Sequence, residues 1–546
     1  MPTRARVTSG LIGLPVAAAL LTVWLILAPR TPDLAAQVYR AGLFHRLGFA
    51  VWDERWYGGH DLPGYSLLFP PLASLLGVRL LGALSVLASV ALFERLVLDA
   101  YGPSARWASV WFAVAAVGDA WIGRLAFALG VPFALAAVLA LTRGRPVVAG
   151  VLAALCAAAS PVAGLLLALA ALSHALATRS SRSLVVLAAP VGAVVVPLAL
   201  LFPEGGFEPY PVLSFAATLI VIAAFLWALP SDRRLLRIGG LVYLLACVGF
   251  LVVHTPMGSN IERYAVLLAG PLLICALAGR SPAVGPGSAA TGSQAARRRR
   301  ARPVVALALC VIAVWVAWGP VRETVAVAGN ESTSASYYVP VERFLARVAA
   351  LPSPPVRVEV PLTRSHWEAA LLAPTVSLAR GWEKQLDTRF DHVLLAPGLT
   401  AAAYDSWLHE QAVSYVALPD TPLDPSSAQE GRLIRRGLPY LREVFASRHW
   451  RIYAVLTPTP LASGPGRLTW LGNDSFALRA TSPGRFLVRV HFTRYWTVTG
   501  GAGCVGPAPG DWTSVAVSAP GSVVVSARFS IARALGLGSS CRGSSS

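Results

Sequence analysis

About eleven stretches of nearly unbroken apolar sequence follow one another through the first three-fifths of this chain, and a bilayer core is what such stretches are built to cross. They lie at 7–27, 78–97, 107–117, 122–141, 146–159, 161–177, 184–201, 211–229, 235–253, 264–277 and 304–318. Lipid offers no partner to backbone N–H and C=O groups, so runs of this kind fold as helices that satisfy their own hydrogen bonds. The break at Ser160-Pro161 leaves a re-entrant hairpin open as an alternative to two spans. The composition agrees: only 13% of the 546 residues are charged, where a soluble domain carries about a quarter. The expected fold class is a polytopic α-helical membrane protein.

The short loops set its orientation. Arg4/Arg6, Arg95/Arg106, Arg143/Arg145, Arg179/Arg182, Arg233/Arg234/Arg237 and Arg280 with 297–300 fall on one side. The loop holding Asp33, then Asp119, Glu204/Glu208 and the loop 254–263 fall on the other. Positive loops stay in the cytoplasm, which places the N-terminus inside and, after an odd number of spans, the C-terminal region outside. The first run ends in Pro29-Arg30 rather than in a small-residue cleavage site, so it reads as an uncleaved helix.

The formal charge of +19 does not point to nucleic acid. Lys384 is the only lysine, and the arginines sit in loops between apolar runs, not in a patch that could track phosphates. Cys156, Cys247, Cys275 and Cys310 lie in apolar runs and read as small buried hydrophobes. Cys504 and Cys541 stand in the polar C-terminal part and can pair if that part is outside the cell.

The expected organisation is a transmembrane domain over 1–320 with a large first outer loop at 30–71. A Gly/Ser/Ala-rich linker at 281–302 ends in an arginine run and reads as a disordered cytoplasmic loop. An extracytoplasmic α/β domain over 321–460 is expected to have strands at 356–360, 413–418 and 450–455 and helices at 341–349 and 428–446. A β-sandwich over 461–546 follows from alternating segments such as SFALRATS, RFLVRVHF and SVVVSARFS between Gly/Pro turns. No internal repeat is evident.

Chemistry-bearing residues concentrate in the first outer loop: Asp33, Arg40, His45, Arg46, Asp53, Glu54, Arg55, His60 and Asp61, interleaved with Trp52, Trp56, Tyr57 and Tyr65. Asp33 has two readings, a helix cap after Thr31-Pro32 and a functional carboxylate. The aromatic residues suit a water–lipid boundary or stacking on sugar rings. The adjacent acids Asp53 and Glu54 form a second acidic candidate, able to hold a divalent cation. Arg124 and Arg263 sit at outer ends of spans, near Asp119 and Glu262, where a guanidinium must snorkel or find an anion. In the outer region, His366-Trp367-Glu368 and Gly381-Trp382-Glu383 read as buried aromatics with local ion pairs, or as a sugar-binding surface.

The stretch DLAAQVYRAGLF…VWDERWYGGHDLPGYSLLFPPL resembles the first loop of bacterial GT-C membrane glycosyltransferases. GDAWIGRLAFALG and TPMGSNIERYAVLLAGPLL resemble their later outer loops. The resemblance implies sugar transfer from a polyprenyl-phosphate carrier to a glycan or glycolipid acceptor of the cell envelope, on the outer face of the bacterial plasma membrane. It implies Asp33 as catalytic base, with Asp53 and Glu54 as rivals, because this chain has a lone Asp-Leu where several members carry an acidic doublet. Arg40, His45, Arg55, Trp56, Tyr57, His60, Arg124 and Arg263 are then candidate substrate contacts. Two other classes remain. A catalytically silent relative that assembles envelope machinery would also lack the doublet. A lipid or glycan transporter would place ionisable residues in mid-span, where this chain has almost none.

Overall fold

The computed structural model describes residues 11–278, 292–350, 354–537 and 541, with backbone alone over 292–301. The readings of Arg4, Arg6, Arg280 and the start of the linker lie outside the described residues, as do the side chains of 297–300. The chain divides into two compact units. One comprises Met1–Gln37, Tyr65–Pro197 and Phe207–Val325; the other comprises Val38–Gly64, Leu198–Gly206 and Ala326–Ser546.

The first unit is helical. Its helices are α1 (Gly13–Leu27), α2 (Pro32–Leu47, whose later turns belong to the second unit), α3 (Phe69–Leu76), α4 (Val78–Tyr101) and α5 (Arg106–Ile122). They continue with α6 (Leu125–Thr142), α7 (Pro146–Ala159), α8 (Pro161–Thr178), α9 (Leu184–Leu201), α10 (Val212–Ala228), α11 (Arg234–Val252), α12 (Glu262–Ala278) and α13 (Gly292–Val327). Among the described residues, each apolar run coincides with one of these helices to within a few residues at its ends. Among the described residues seven helices are long and apolar enough to cross a membrane, and α1 with α2, bent by 80° at the break between them, makes an eighth if counted as one span. α7 and α10 are apolar but shorter. The chain is a multi-pass membrane protein. α13 begins at Gly292, so the latter part of the expected unstructured linker is helical backbone.

Polar groups within the bundle are spent on backbone. Glu94 is fully buried in α4 and accepts hydrogen bonds from the N–H groups of Ile12, Gly13 and Leu14 at 2.9, 3.0 and 3.3 Å. These are donors that the first turn of α1 leaves without intrahelical partners, at the positive end of its dipole. Ser85 and Ser89 return their hydroxyls to carbonyls one turn back. Cys156, Cys247 and Cys275 are buried. Cys310 is exposed on α13 instead, because one face of that apolar helix packs on nothing within the protein.

The second unit holds three sheets and a short hairpin. In the hairpin, β1 (Trp52–Asp53) pairs antiparallel with β2 (His60–Asp61), Trp52 opposite Asp61 and Asp53 opposite His60. A five-stranded mixed sheet runs in the order β4-β3-β5-β7-β6. Its strands are β3 (Arg357–Glu359), β4 (Ser377–Leu378), β5 (Val413–Pro419), β6 (Leu441–Ala446) and β7 (Trp450–Val455). The helix expected over 428–446 stops at Arg435. Gly437, at φ +83°, and Pro439 turn the chain there, and Leu441–Ala446 pairs with β7.

Two four-stranded antiparallel sheets follow, in the orders β12-β15-β10-β9 and β13-β14-β11-β8. Their strands are β8 (Ala462–Ser463), β9 (Gly466–Leu471), β10 (Ser475–Ala480), β11 (Gly484–His491), β12 (Trp496–Gly500), β13 (Gly503–Pro507), β14 (Trp512–Val517) and β15 (Gly521–Ala527). The two-residue period selects their buried faces. Phe476, Leu478, Val523 and Val525 of one sheet and Phe486, Val488, Val515 and Val517 of the other join a single core. Cys504 of β13 is disulfide-bonded to Cys541.

Candidate active site

The residues singled out in the sequence divide between the units. In the first, α5 ends at Ile122, Gly123 turns the chain at φ +102°, and Arg124 occupies the position before α6. A Cβ on Gly123 would come within 2.4 Å of the Leu34 backbone nitrogen, so only glycine lets this turn press against the first turn of α2. That approach brings Arg124 to Asp33: Arg124 Nε lies 3.4 Å from Asp33 Oδ2, and Nη1 lies 3.3 Å from Asp119 Oδ1. Asp119 is buried, whereas a third of the Asp33 side chain stays exposed. α2 begins at Pro32, so Asp33 lies inside its first turn and is not the cap. The Thr31 hydroxyl just before it donates to the Trp121 carbonyl at 3.0 Å.

Arg263, in the first turn of α12, completes the group. Its guanidinium lies 5.2 Å from the centre of the Phe127 ring and donates through Nη2 to the Asn260 side chain, while its buried Nε has no hydrogen-bond partner among the described residues. The charges of Arg124, Asp119 and Asp33 all act on it. Glu262, the acid beside it in sequence, instead accepts a hydrogen bond from Thr218 at 3.1 Å. Gln37 donates to the Tyr65 hydroxyl in the same unit.

No protein-family model matches the chain, and no curated protein matches it by sequence. Among solved structures it is similar to ArnT from Cupriavidus metallidurans bound to undecaprenyl phosphate, at 15% identity and a TM-score of 0.46, over 81% of this chain and 98% of that one. It is similar also to ArnT from the same organism in the apo state, at 13% identity and a TM-score of 0.46, over 81% of this chain and 97% of that one.

The other candidates lie in the second unit, and most are enclosed there. Arg40 pairs with Glu383 and lies over the Trp56 ring. Asp53 accepts from the Tyr39 hydroxyl at 2.7 Å and the Asn473 amide at 2.8 Å. Glu54 binds Arg357 at 3.0 Å and accepts from the Ser377 hydroxyl at 2.9 Å. Burial pushes the carboxyls of Asp53 and Glu54 up, against the lowering effect of these partners. The two acids therefore serve separate internal networks and do not present a joint cation site. Trp56 and Tyr57 are fully buried: Trp56 Nε1 donates to the Ala369 carbonyl at 3.0 Å, and the Tyr57 hydroxyl lies 3.1 Å from the Glu383 carbonyl and from Asp387 Oδ1. Rings enclosed with their polar tips satisfied belong to a core, not to a lipid boundary or an open sugar platform. His45 is exposed near the end of α2, Arg55 is half-buried, and His60 is buried with Nδ1 3.0 Å from the Asp53 carbonyl.

His366 stacks on Trp382 at 3.4 Å, and Glu368 accepts from Thr363, so those two patches are internal packing. The sequence reading missed Gly123, whose role is the contact a Cβ would block. It also missed Glu204 and His491, which carry no local motif. Asp61 stood in view beside His60 and went unassigned.

Proposed function

We propose that this protein transfers a sugar from a polyprenyl-phosphate carrier to a cell-envelope glycan acceptor on the outer face of the plasma membrane, with Asp33 as the base. The observation that carries this reading is Arg124, which holds a partly open carboxylate, Asp33, against a buried one, Asp119. Beside them Arg263 has a guanidinium nitrogen still to be satisfied. Such a group has the two things the reaction needs. The acceptor hydroxyl attacks the anomeric carbon while Asp33 takes its proton. The bond from that carbon to the phosphate oxygen breaks, and the electron pair leaves with polyprenyl phosphate. That leaving group is already an anion and asks for cations, which Arg263 and Arg124 supply, rather than for a strong acid. Asp53 and Glu54 are weaker candidates, since both are enclosed and each is held by internal partners.

The arrangement of arginines supports the orientation. Arg95/Arg106, Arg143/Arg145, Arg179 and Arg233/Arg234 sit at one set of helix ends, and Asp33, Asp119 and Glu262 at the other. The positive-inside rule puts the Asp33 ends, and the region after Val327, outside.

The test is a comparison of envelope glycans from wild type, a deletion strain and a strain carrying Asp33→Asn, with the variant protein verified in the membrane. Loss of one glycan linkage in both mutants, with a lipid-linked sugar accumulating, supports the reading. An Asp33→Asn strain with wild-type glycans beside a disturbed deletion strain would remove Asp33 as the base and leave Asp53 and Glu54 as candidates, or an assembly role without transferase activity.

A further inference from the structure

The second unit contains a cavity of about 190 Å³ lined by residues of five separate segments, the β1–β2 hairpin, 201–204, 386–390, 491–494 and Asp511. That is far more than the roughly 30 Å³ share of one water and less than the several hundred Å³ of a pocket for a drug-sized ligand. Five of its lining residues each carry an enclosed polar atom with no hydrogen-bond partner among the described residues: Trp52 Nε1, His60 Nε2, Asp61 Oδ1, Glu204 Oε1 and His491 Nε2. Trp52, His60, Asp61 and His491 are each more than nine-tenths buried. Buried polar groups are ordinarily paired, and leaving one unpaired costs about 1–3 kcal/mol. Five such residues around one cavity mark it as a candidate ligand site.

The chemistry of the five atoms selects that ligand. His60 Nδ1 faces the Asp53 carbonyl at 3.0 Å, and His491 Nδ1 faces the Asp511 carbonyl at 3.4 Å. A carbonyl only accepts, so both Nδ1 atoms carry the hydrogen and both Nε2 atoms present lone pairs. The lining thus offers two imidazole acceptors, two carboxyl oxygens and one indole donor; of the two arginines that also line it, Arg389 is paired with Asp511 at 2.9 Å and Arg494 donates to the Ala534 carbonyl at 3.0 Å. Burial drives both imidazoles down to about 3, so they are neutral. Burial, with the Glu204 charge, raises Asp61 to about 8, and burial raises Glu204 to about 7 against the lowering effect of Arg40, Gln385 and Arg389, so near neutrality Asp61 keeps its proton and Glu204 is about half protonated. Among the described residues no three His, Cys, Asp or Glu side chains converge as metal ligands. The apolar walls are flat: Trp52, and Phe390 stacked on His491 at 4.0 Å. Hydroxyl groups, which donate and accept, satisfy such a lining without adding charge, and ring C–H groups suit its walls.

We propose that this cavity binds a single neutral sugar ring, at a site formed wholly by second-unit residues. The proposal does not rest on the transfer reaction or on Asp33.

The full-length protein in detergent micelles is examined by saturation-transfer difference NMR with free D-mannose, D-galactose, D-glucose and L-arabinose, and with ethanolamine as a cationic probe. At least one sugar should show transfer and ethanolamine none. Trp52→Phe keeps a ring and deletes the donor; His491→Phe keeps the stack and deletes an acceptor. Each should weaken that sugar's binding roughly fivefold to tenfold, the effect of one hydrogen bond. Glu204→Gln, at the less enclosed edge, serves where either buried variant fails to fold. Asp33→Asn should bind the sugar as wild type does, which separates failure here from failure of the transferase reading. Absence of transfer from all four sugars, ethanolamine binding alone, or unchanged affinity in the folded variants would overturn the proposal.

Discussion

Arg124 and Asp33 meet across ninety residues of sequence, guanidinium Nε to carboxylate Oδ2 at 3.4 Å, and the same arginine reaches Asp119 with a second nitrogen. The two acids stand in different positions toward it. Asp119 is buried and is ion-paired with Arg124, whereas Asp33 keeps a third of its side chain open. If Asp33 is the base, Asp33→Asn should reduce sugar transfer at least about a hundredfold, the lower range for a general base, with little change in melting temperature. Asp119→Asn should instead lower the melting temperature, because it leaves a largely enclosed guanidinium without its buried partner. In-vitro transfer rates and thermal unfolding of the two purified variants distinguish these outcomes.

Gly123 tests the same geometry from the backbone. A methyl group there would press on the Leu34 nitrogen at 2.4 Å, and the residue's φ of +102° is itself unfavourable for alanine. Gly123→Ala should cost about 1–3 kcal/mol in stability and move Arg124 away from Asp33. Transfer should then fall with kcat, as for Asp33→Asn, although no charged group has been removed. A variant with normal kcat would show that the Arg124–Asp33 contact does not matter to the reaction.

What the sequence makes legible follows the range of the interactions. The spans and the sandwich strands are periodic or compositional, and a window of twenty residues holds all the information needed. Leu441–Ala446 reads as helix because LREVFA is permissive; its strand state comes from pairing with Trp450–Val455 beyond a turn. Trp56 and Tyr57 resemble interfacial aromatics because their partners, Ala369 and Glu383, lie more than three hundred positions away. Asp33, Arg124 and Arg263 are readable as charges at helix ends, but the glycine that brings the first two together is not.

Arg357 shows how far the second unit departs from charges-outside expectation. It is fully buried on β3, pairs with Glu54 at 3.0 Å, and donates to the Gln411 and Arg489 carbonyls at 2.8 and 2.6 Å. Removing one member of a buried pair strands the other, so Arg357→Met should destabilise by about 3–5 kcal/mol. The double variant Glu54→Gln with Arg357→Met should recover part of that loss, since no uncompensated charge remains. A double variant as unstable as the sum of the two single ones would mean that the carbonyl contacts, not the ion pair, hold this arginine in place.

The cavity acids give the protein a pH dependence whose sign can be worked out. Burial raises Asp61 to about 8 and Glu204 to about 7, both above their values in the unfolded chain. Between the unfolded and folded values the native state binds more protons, so stability falls as pH rises. The fall should run from the ordinary carboxylate range to about pH 8, steepest below about pH 7, where both carboxyls stay protonated in the native state alone, and easing as Glu204 and then Asp61 ionise there too. Thermal unfolding between pH 6 and pH 9 should therefore show a melting temperature that drops toward the alkaline end. The informative quantity is the difference from Asp61→Asn, which cannot ionise at that position. That variant should lose less stability than wild type between pH 6 and pH 9, and a slope equal to that of wild type would place the responsible protons on other groups.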